Sequence, residues 1–278
     1  MNPRLLLSEI GIGATDTLSL RVSVAMLARV LFEHPTTGEL LQALERKATR
    51  HKSQTGPIVE VKSQPFGGAI RILDLPALQA ILSDFHFDSE QSRSEQDFRI
   101  FIRPSAWDII QTFCLEHLQQ PKNSVLESDP ARELAEEITE SLRIELKQDQ
   151  YSIQAIGTIV EDNPSPTEYI HAAGYPTARI YRIFESRILD TSLAAAMIEN
   201  SENISDRHLQ DLARQDSRQG GYGKANAVLT LPYRELQASY LAVSPEARNQ
   251  PIWFQGHELD ETVAAVLEDI PVPKYRRL

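Results

Sequence analysis

The stretch 126–142, Leu-Glu-Ser-Asp-Pro-Ala-Arg-Glu-Leu-Ala-Glu-Glu-Ile-Thr-Glu-Ser-Leu, decides how the chain is read. At about 100° per residue, Ala131, Leu134, Ala135, Ile138 and Leu142 fall on one side, and Glu133, Glu136, Glu137 and Glu140 gather on the other. Ser128 or Asp129 can cap the start, Pro130 suits the first helical position, and acids in the first turns complement the helix dipole. The spacing therefore predicts a helix over 130–142 with one packing face and one carboxylate face. Carboxylates at i, i+3 and i+4 can converge on a hard divalent cation, Mg²⁺ or Mn²⁺, which prefers oxygen ligands and can bridge phosphate oxygens. One of them can also take a proton from an attacking water. Glu133, Glu136 and Glu137 are thus the candidate catalytic and metal-ligating residues. The same run equally describes the solvated face of an ordinary surface helix, because Glu is a good helix former.

Working outward, 151–160 and 177–189 read as strands after this helix, and 58–62, 68–73 and 97–103 as strands before it. Further helices are expected at 107–118, 192–197, 205–214 and 259–267. At the N-terminal end, Leu18, Val22, Met26, Leu27, Val30 and Leu31 recur at three- and four-residue spacing, which predicts a helix from position 17. Pro35 to Gly38 breaks it, and a second helix is expected from 39 to about 51. Gly56-Pro57 then marks a boundary. The expected organisation is a helical N-terminal extension over 1–55 and a domain over 56–278, with an insertion at about 76–125 and a helical C-terminal segment. The fold class is α+β, a mixed β-sheet flanked by helices.

Within the decisive stretch, Arg132 to Glu137 (RELAEE) resembles the core of the Nudix box, the loop-helix-loop signature of Nudix hydrolases. Pro65 to Arg71 (PFGGAIR) looks like the Gly-Gly strand that precedes such a box, and AIGTIVED and RIYRIFESRI look like the sheet that follows it. The resemblance implies a Nudix-like sheet over roughly 58–231. It also implies Mg²⁺ organised by Glu133, Glu136 and Glu137, an Arg132 that buttresses a carboxylate, and hydrolysis of a nucleoside-diphosphate-linked compound. Ser124 stands where the family carries a glutamate, and Thr139 and Glu140 replace its closing Gly and hydrophobic residue. That departure implies an alternative, a nucleotide-binding or regulatory module on the same fold that does not cleave. A protein-interaction domain is the third reading, if the helix carries only a solvated face.

The rest of the sequence limits partners. Lys and Arg total 28 against 39 Asp and Glu, a formal charge of −11, which disfavours duplex nucleic acid and anionic membrane surfaces. No apolar run approaches a membrane span, and Leu5 to Leu7 is too short for a signal peptide, so a cytoplasmic protein is expected. The single Cys114, beside Phe113 and Leu115, reads as a buried hydrophobe. Arg71, Arg99 and Arg182, with Arg103 and Arg179, lie in expected strands where a guanidinium can clamp phosphate; the first three are the candidate substrate-binding residues for a nucleotide-like small molecule. Pairing with surface acids is the plainer fate of such residues. The run 85–98, with His86, Asp88, Glu90, Arg93, Glu95 and Asp97, reads as a solvated loop able to reach a site. The Gly-rich 218–226 lacks phosphate-loop spacing, and no histidine pair suits zinc; His171 beside Glu168 is the one to watch. Trp253 to Leu267 carries an apolar strip that docks on the domain or a partner. The basic Lys-Tyr-Arg-Arg-Leu tail suits an acidic surface of another copy, a homo-oligomeric contact.

Overall fold

A computed structural model describes residues 17–53, 56–120, 123–127, 129–161, 163–167, 172–218 and 225–278. Ser128, Glu168, His171 and positions 219–224 of the Gly-rich stretch lie outside the described residues, as do the first sixteen positions of the expected extension.

The N-terminal expectation is overturned. The stretch read as two helices forms two long strands, β1 (Leu20–Glu33) and β2 (Leu40–Ser53), paired antiparallel around the 34–39 turn. Val22, Val24, Met26, Ala28 and Val30 alternate with Leu27 and Leu31, and all are buried. Leu20, Val22, Val24 and Met26 do alternate with Arg21, Ser23 and Ala25. From Leu27 on, however, the strand is covered on both faces, and there its apolar residues mimic helical spacing by density alone. β2 continues into β3 (Gly56–Gln64) with an unbroken register from Glu45↔Gln64 to Ser53↔Gly56. The expected boundary at Gly56-Pro57 therefore falls inside a hairpin, and 20–53 belongs to the sheet instead of standing apart as a helical extension.

The chain then runs through helix α1 (Leu75–Ile81), β4 (His86–Phe87), α2 (Glu90–Glu95), β5 (Arg99–Ile102), α3 (Trp107–Leu118) and α4 (Ala131–Leu142). It continues as β6 (Tyr151–Glu161), β7 (Ser165–Pro166), β8 (Pro176–Ile188), α5 (Thr191–Asn203), α6 (Asp206–Arg218), β9 (Ala225–Pro232) and α7 (Tyr233–Ala242). Short elements close it: β10 (Ile252–Phe254), β11 (His257–Leu259), α8 (Val263–Val266) and β12 (Tyr275–Arg277). The helical C-terminal segment expected over 259–267 thus shrinks to one turn between short strands. The class is mixed α+β, and among the described residues no helix is long and apolar enough to cross a membrane.

Sheet order along the main path is β10-β11-β3-β2-β1-β8-β6-β12. β1 runs parallel to β8, and its other edge is shared by three segments in succession: β5, then 66–70, then β2. One face of β1 packs Val22, Val24 and Met26 against α3, and Ala28, Val30 and Phe32 against α4 and α5. Its opposite face packs Leu27 and Leu31 against α7 and α8. The expected insertion is therefore part of the main core: Phe98, Ile100, Ile110, Cys114 and Leu118 all join it, and Cys114 is fully buried.

The run 85–98 is not a solvated loop either. Asp88 is buried against Arg21 at 2.7 Å, and α2 is capped by the Ser89 hydroxyl. Arg179 is likewise engaged, with the buried Glu161 at 2.6 Å. In the C-terminal strip, Leu259, Val263, Val266 and Leu267 are core residues while Trp253 is exposed. Tyr275 and Arg277 are engaged within the chain, through β12–β6 pairing and through Arg277 bonds to the Ala265 and Leu267 carbonyls.

Candidate functional site

α4 begins one residue later than its sequence predicts, with Pro130 at the cap position instead of inside the helix, while the Asp129 carboxylate still accepts the Ala131 N–H at 2.9 Å. Leu134 and Ile138 are buried with Ala28, Val30 and Val228, which fixes the rotation of the helix on the sheet. That rotation turns Glu133 and Glu137 inward, onto the segment carrying Gly67 and Gly68.

This segment lies against β1, with Met26 N–H donating to Gly68 O at 2.9 Å and Ala28 N–H to Phe66 O at 2.7 Å. Gly67 has φ +146°, and a Cβ there would overlap the Met26 carbonyl and lie 3.0 Å from Leu27 Cα. Only glycine allows this approach. A Cβ on Gly68 would instead lie 2.9 Å from Glu133 Cδ and collide with the carboxylate. The Glu137 carboxylate accepts the Gly67 N–H. A cavity of about 10 Å³ remains between Gly67, Glu133, Pro130, Met26 and Phe184, room for about one water.

Arg132 ties the outer carboxylates together. Its guanidinium holds Glu127 two-pronged, at 2.7 and 2.6 Å, donates to Glu136 Oε2 at 2.8 Å, and also donates to Glu133. The Glu127 bonds hold its pKa above the ordinary arginine value despite burial. Glu136, expected on the site face, is the most exposed of the group, its side chain 54% accessible. Burial raises the pKa of Glu133, against the pull of Arg132.

Beneath Glu137 lies a polar floor that sequence reading missed. Glu45 on β2 is fully buried and accepts from Gln64 at 3.0 Å, Asn226 at 2.8 Å and Lys47 at 3.5 Å. Asn226 also donates to Glu140 at 3.2 Å. Burial and then Glu45 push the Glu137 carboxyl well above the ordinary range, against Lys47 and the Gly67 N–H. Burial works against the Lys47 ammonium, but Glu45 and Glu137 outweigh it and raise its pKa.

The structure brings Arg71 and Arg99 together. Arg71 stands opposite Asp97 in an antiparallel bridge, flanked by Ile72 N–H to Gln96 O at 2.8 Å and Phe98 N–H to Ile70 O at 2.7 Å. In such a pair both side chains leave the same face, close together. Arg99 bonds the Asp97 carboxylate at 3.2 Å. Asp97 is pushed up to about 6, first by burial and then by Glu95 and Glu133, against Arg99 and Arg71. Glu133 is therefore an electrostatic neighbour of this cluster. Arg182 is elsewhere, on β8, where it donates to Thr158 Oγ1 at 3.0 Å and lies 5.8 Å from the Phe184 ring centroid. Burial lowers its pKa.

Among the described residues, no group of three or more His, Cys, Asp or Glu side chains is gathered as a metal cluster. The cation that Glu127, Glu133 and Glu136 share is the Arg132 guanidinium. Alternation of Leu41, Ala43, Glu45 and Lys47 along β2 was the available signal for the floor, since it sets two charged residues on an apolar face. No family model, no curated protein and no solved structure matches this chain.

Proposed function

We propose that the chain is a Mg²⁺- or Mn²⁺-dependent hydrolase of a nucleoside-diphosphate-linked compound, working on a Nudix-like scaffold. The observation that carries this reading is the inward turn of Glu133 and Glu137 onto Gly67 and Gly68. The donor set suits a hard cation: it is all oxygen, and Glu127, Glu133 and Glu136 already converge on one cationic group. Glu133 and Glu136 would hold the ion once Arg132 withdraws from between them. When bound, such an ion neutralises phosphate charge and makes its water more acidic.

The remaining duties fall to this chain's own groups. Arg71 and Arg99, gathered at Asp97, present guanidiniums to phosphate oxygens. One of the carboxylates gathered at Arg132, Glu127, Glu133 or Glu136, takes the proton of the attacking water. Glu137 is a positioning residue, holding the Gly67 N–H and with it the strand on which Glu133 rests. The direct experiment is a panel of nucleoside-diphosphate-linked compounds with and without Mg²⁺ or Mn²⁺. Product should appear only with metal, and Glu133→Gln should lower turnover on the order of 100-fold or more. Release without metal, or unchanged turnover in that variant, refutes the reading.

One observation favours a second reading. Arg132 already occupies the point where three carboxylates meet, and no metal cluster is gathered among the described residues. A nucleotide-binding or regulatory module follows from that arrangement. It predicts nucleotide binding that is indifferent to Mg²⁺ and yields no product.

A further inference from the structure

A cleft of about 640 Å³ opens between α1, the turn into β4, and α2, within the stretch that separates Gly67-Gly68 from α4. The cleft is shallow and open to solvent, with room for a nucleoside-sized ligand to lie against its wall. Phe85 and Phe87 line it, half-buried, with their bodies on the main core and their rings edge-to-face at 6.0 Å. Gln79 and Gln96 bring two exposed carboxamides, and Arg93 a largely exposed guanidinium. Each carboxamide offers both donors and an acceptor, the mixed pattern found along the edge of a heterocyclic base. The uncovered parts of the two phenylalanine rings add apolar contact for a flat ring. A phosphate finds less here: Asp84 also lines the cleft, and Arg93 is paired with Glu90 at 3.4 Å.

The cleft adjoins the α4 site along the chain. Gln96 is the immediate neighbour of Asp97, and Leu75, at the other wall, follows Arg71 by four residues, at most about 14 Å of extended chain. We propose that this cleft receives the base of a nucleotide whose phosphates reach Arg71 and Arg99; the choice of ligand rests on the hydrolase reading above. The base would then be recognised by α1, β4 and α2, while the diphosphate lies toward Glu133.

Calorimetry on the full chain tests this with AMP, GMP, CMP and UMP, and with ribose 5-phosphate as the base-free control. At least one mononucleotide should bind on the order of tenfold more tightly than ribose 5-phosphate. Ser83→Trp, which fills the cleft from an exposed position, should remove that advantage and leave ribose 5-phosphate unaffected; Gln79→Ala should weaken the mononucleotide alone. Equal binding of mononucleotide and control, or an advantage that survives Ser83→Trp, overturns the assignment. The two proposals fail separately. Base-dependent binding lost in Ser83→Trp, without metal-dependent turnover, supports the cleft and sinks the hydrolase. Turnover undiminished by Ser83→Trp does the reverse.

Discussion

The Glu137 carboxylate on α4 accepts the backbone N–H of Gly67, seventy residues earlier in the chain. One turn before it, Glu133 rests on Gly68. Two consecutive glycines thus meet two inward glutamates one helical turn apart, and substitution of the glycines should separate fold from site. Gly67→Ala places a Cβ into the Met26 carbonyl at φ +146° and should cost about 3 kcal/mol or more in urea unfolding. Gly68→Ala meets only the flexible end of Glu133, so stability should change by about 1 kcal/mol or less while metal-dependent turnover falls steeply. Equal stability losses in the two variants would contradict this division.

Arg132 is expected to resist conservative replacement. Lysine cannot reproduce the two-pronged hold on Glu127 together with the bonds to Glu133 and Glu136. With the side chain a quarter exposed, Arg132→Lys should lose on the order of 1 kcal/mol, read from chemical unfolding at neutral pH. A variant as stable as the parent would mean that the guanidinium network contributes little beyond charge.

How much of this was legible in the sequence divides along physical lines. α4, α3, β3, β6 and β8 follow from local pattern, because each has a clear apolar stripe or a turn signal at its ends. The Gly67-Gly68 pair stands out in the sequence, but its packing on Glu133 and Glu137 comes from the fold, while the one-turn spacing of those two glutamates follows from the helix period. β1 was legible only in its first half, where Leu20, Val22, Val24 and Met26 alternate with Arg21, Ser23 and Ala25; beyond Leu27 burial on both faces erased the pattern, and the whole stretch reads as helix. β2 misled in another way: Leu, Ala, Glu, Arg and Lys favour helix, and pairing with β1, β3 and β9 overrode that preference. The floor was legible only in part: the β2 alternation sets Glu45 and Lys47 on an apolar face, but the partner Asn226 comes from β9, 181 residues on, where no spacing rule reaches. Glu136 faces outward because the rotation fixed by Leu134 and Ile138 turns it to the helix surface, where it meets Arg132.

Asp97 gives a pH signature. Its folded pKa is pushed up to about 6, chiefly by burial, whereas an unfolded aspartate titrates near 3.9. Between about pH 4 and pH 6 the folded chain holds a proton that the unfolded chain has released, so stability falls as pH rises through that window. Asp97→Asn should therefore be more stable than the parent at pH 7, on the order of 1 kcal/mol after solvent screening. The advantage should vanish below pH 4. A difference between the two proteins that does not vary with pH would remove this account of Asp97.

The measurement closest to the central claim is a Mn²⁺ titration followed by electron paramagnetic resonance, on the parent chain, Glu133→Gln and the exposed α5 control Glu199→Gln. The parent and the control should take up the ion alike, and Glu133→Gln should bind it at least about tenfold more weakly. Equal uptake by all three proteins, or none by the parent, would contradict a cation site built on Glu133.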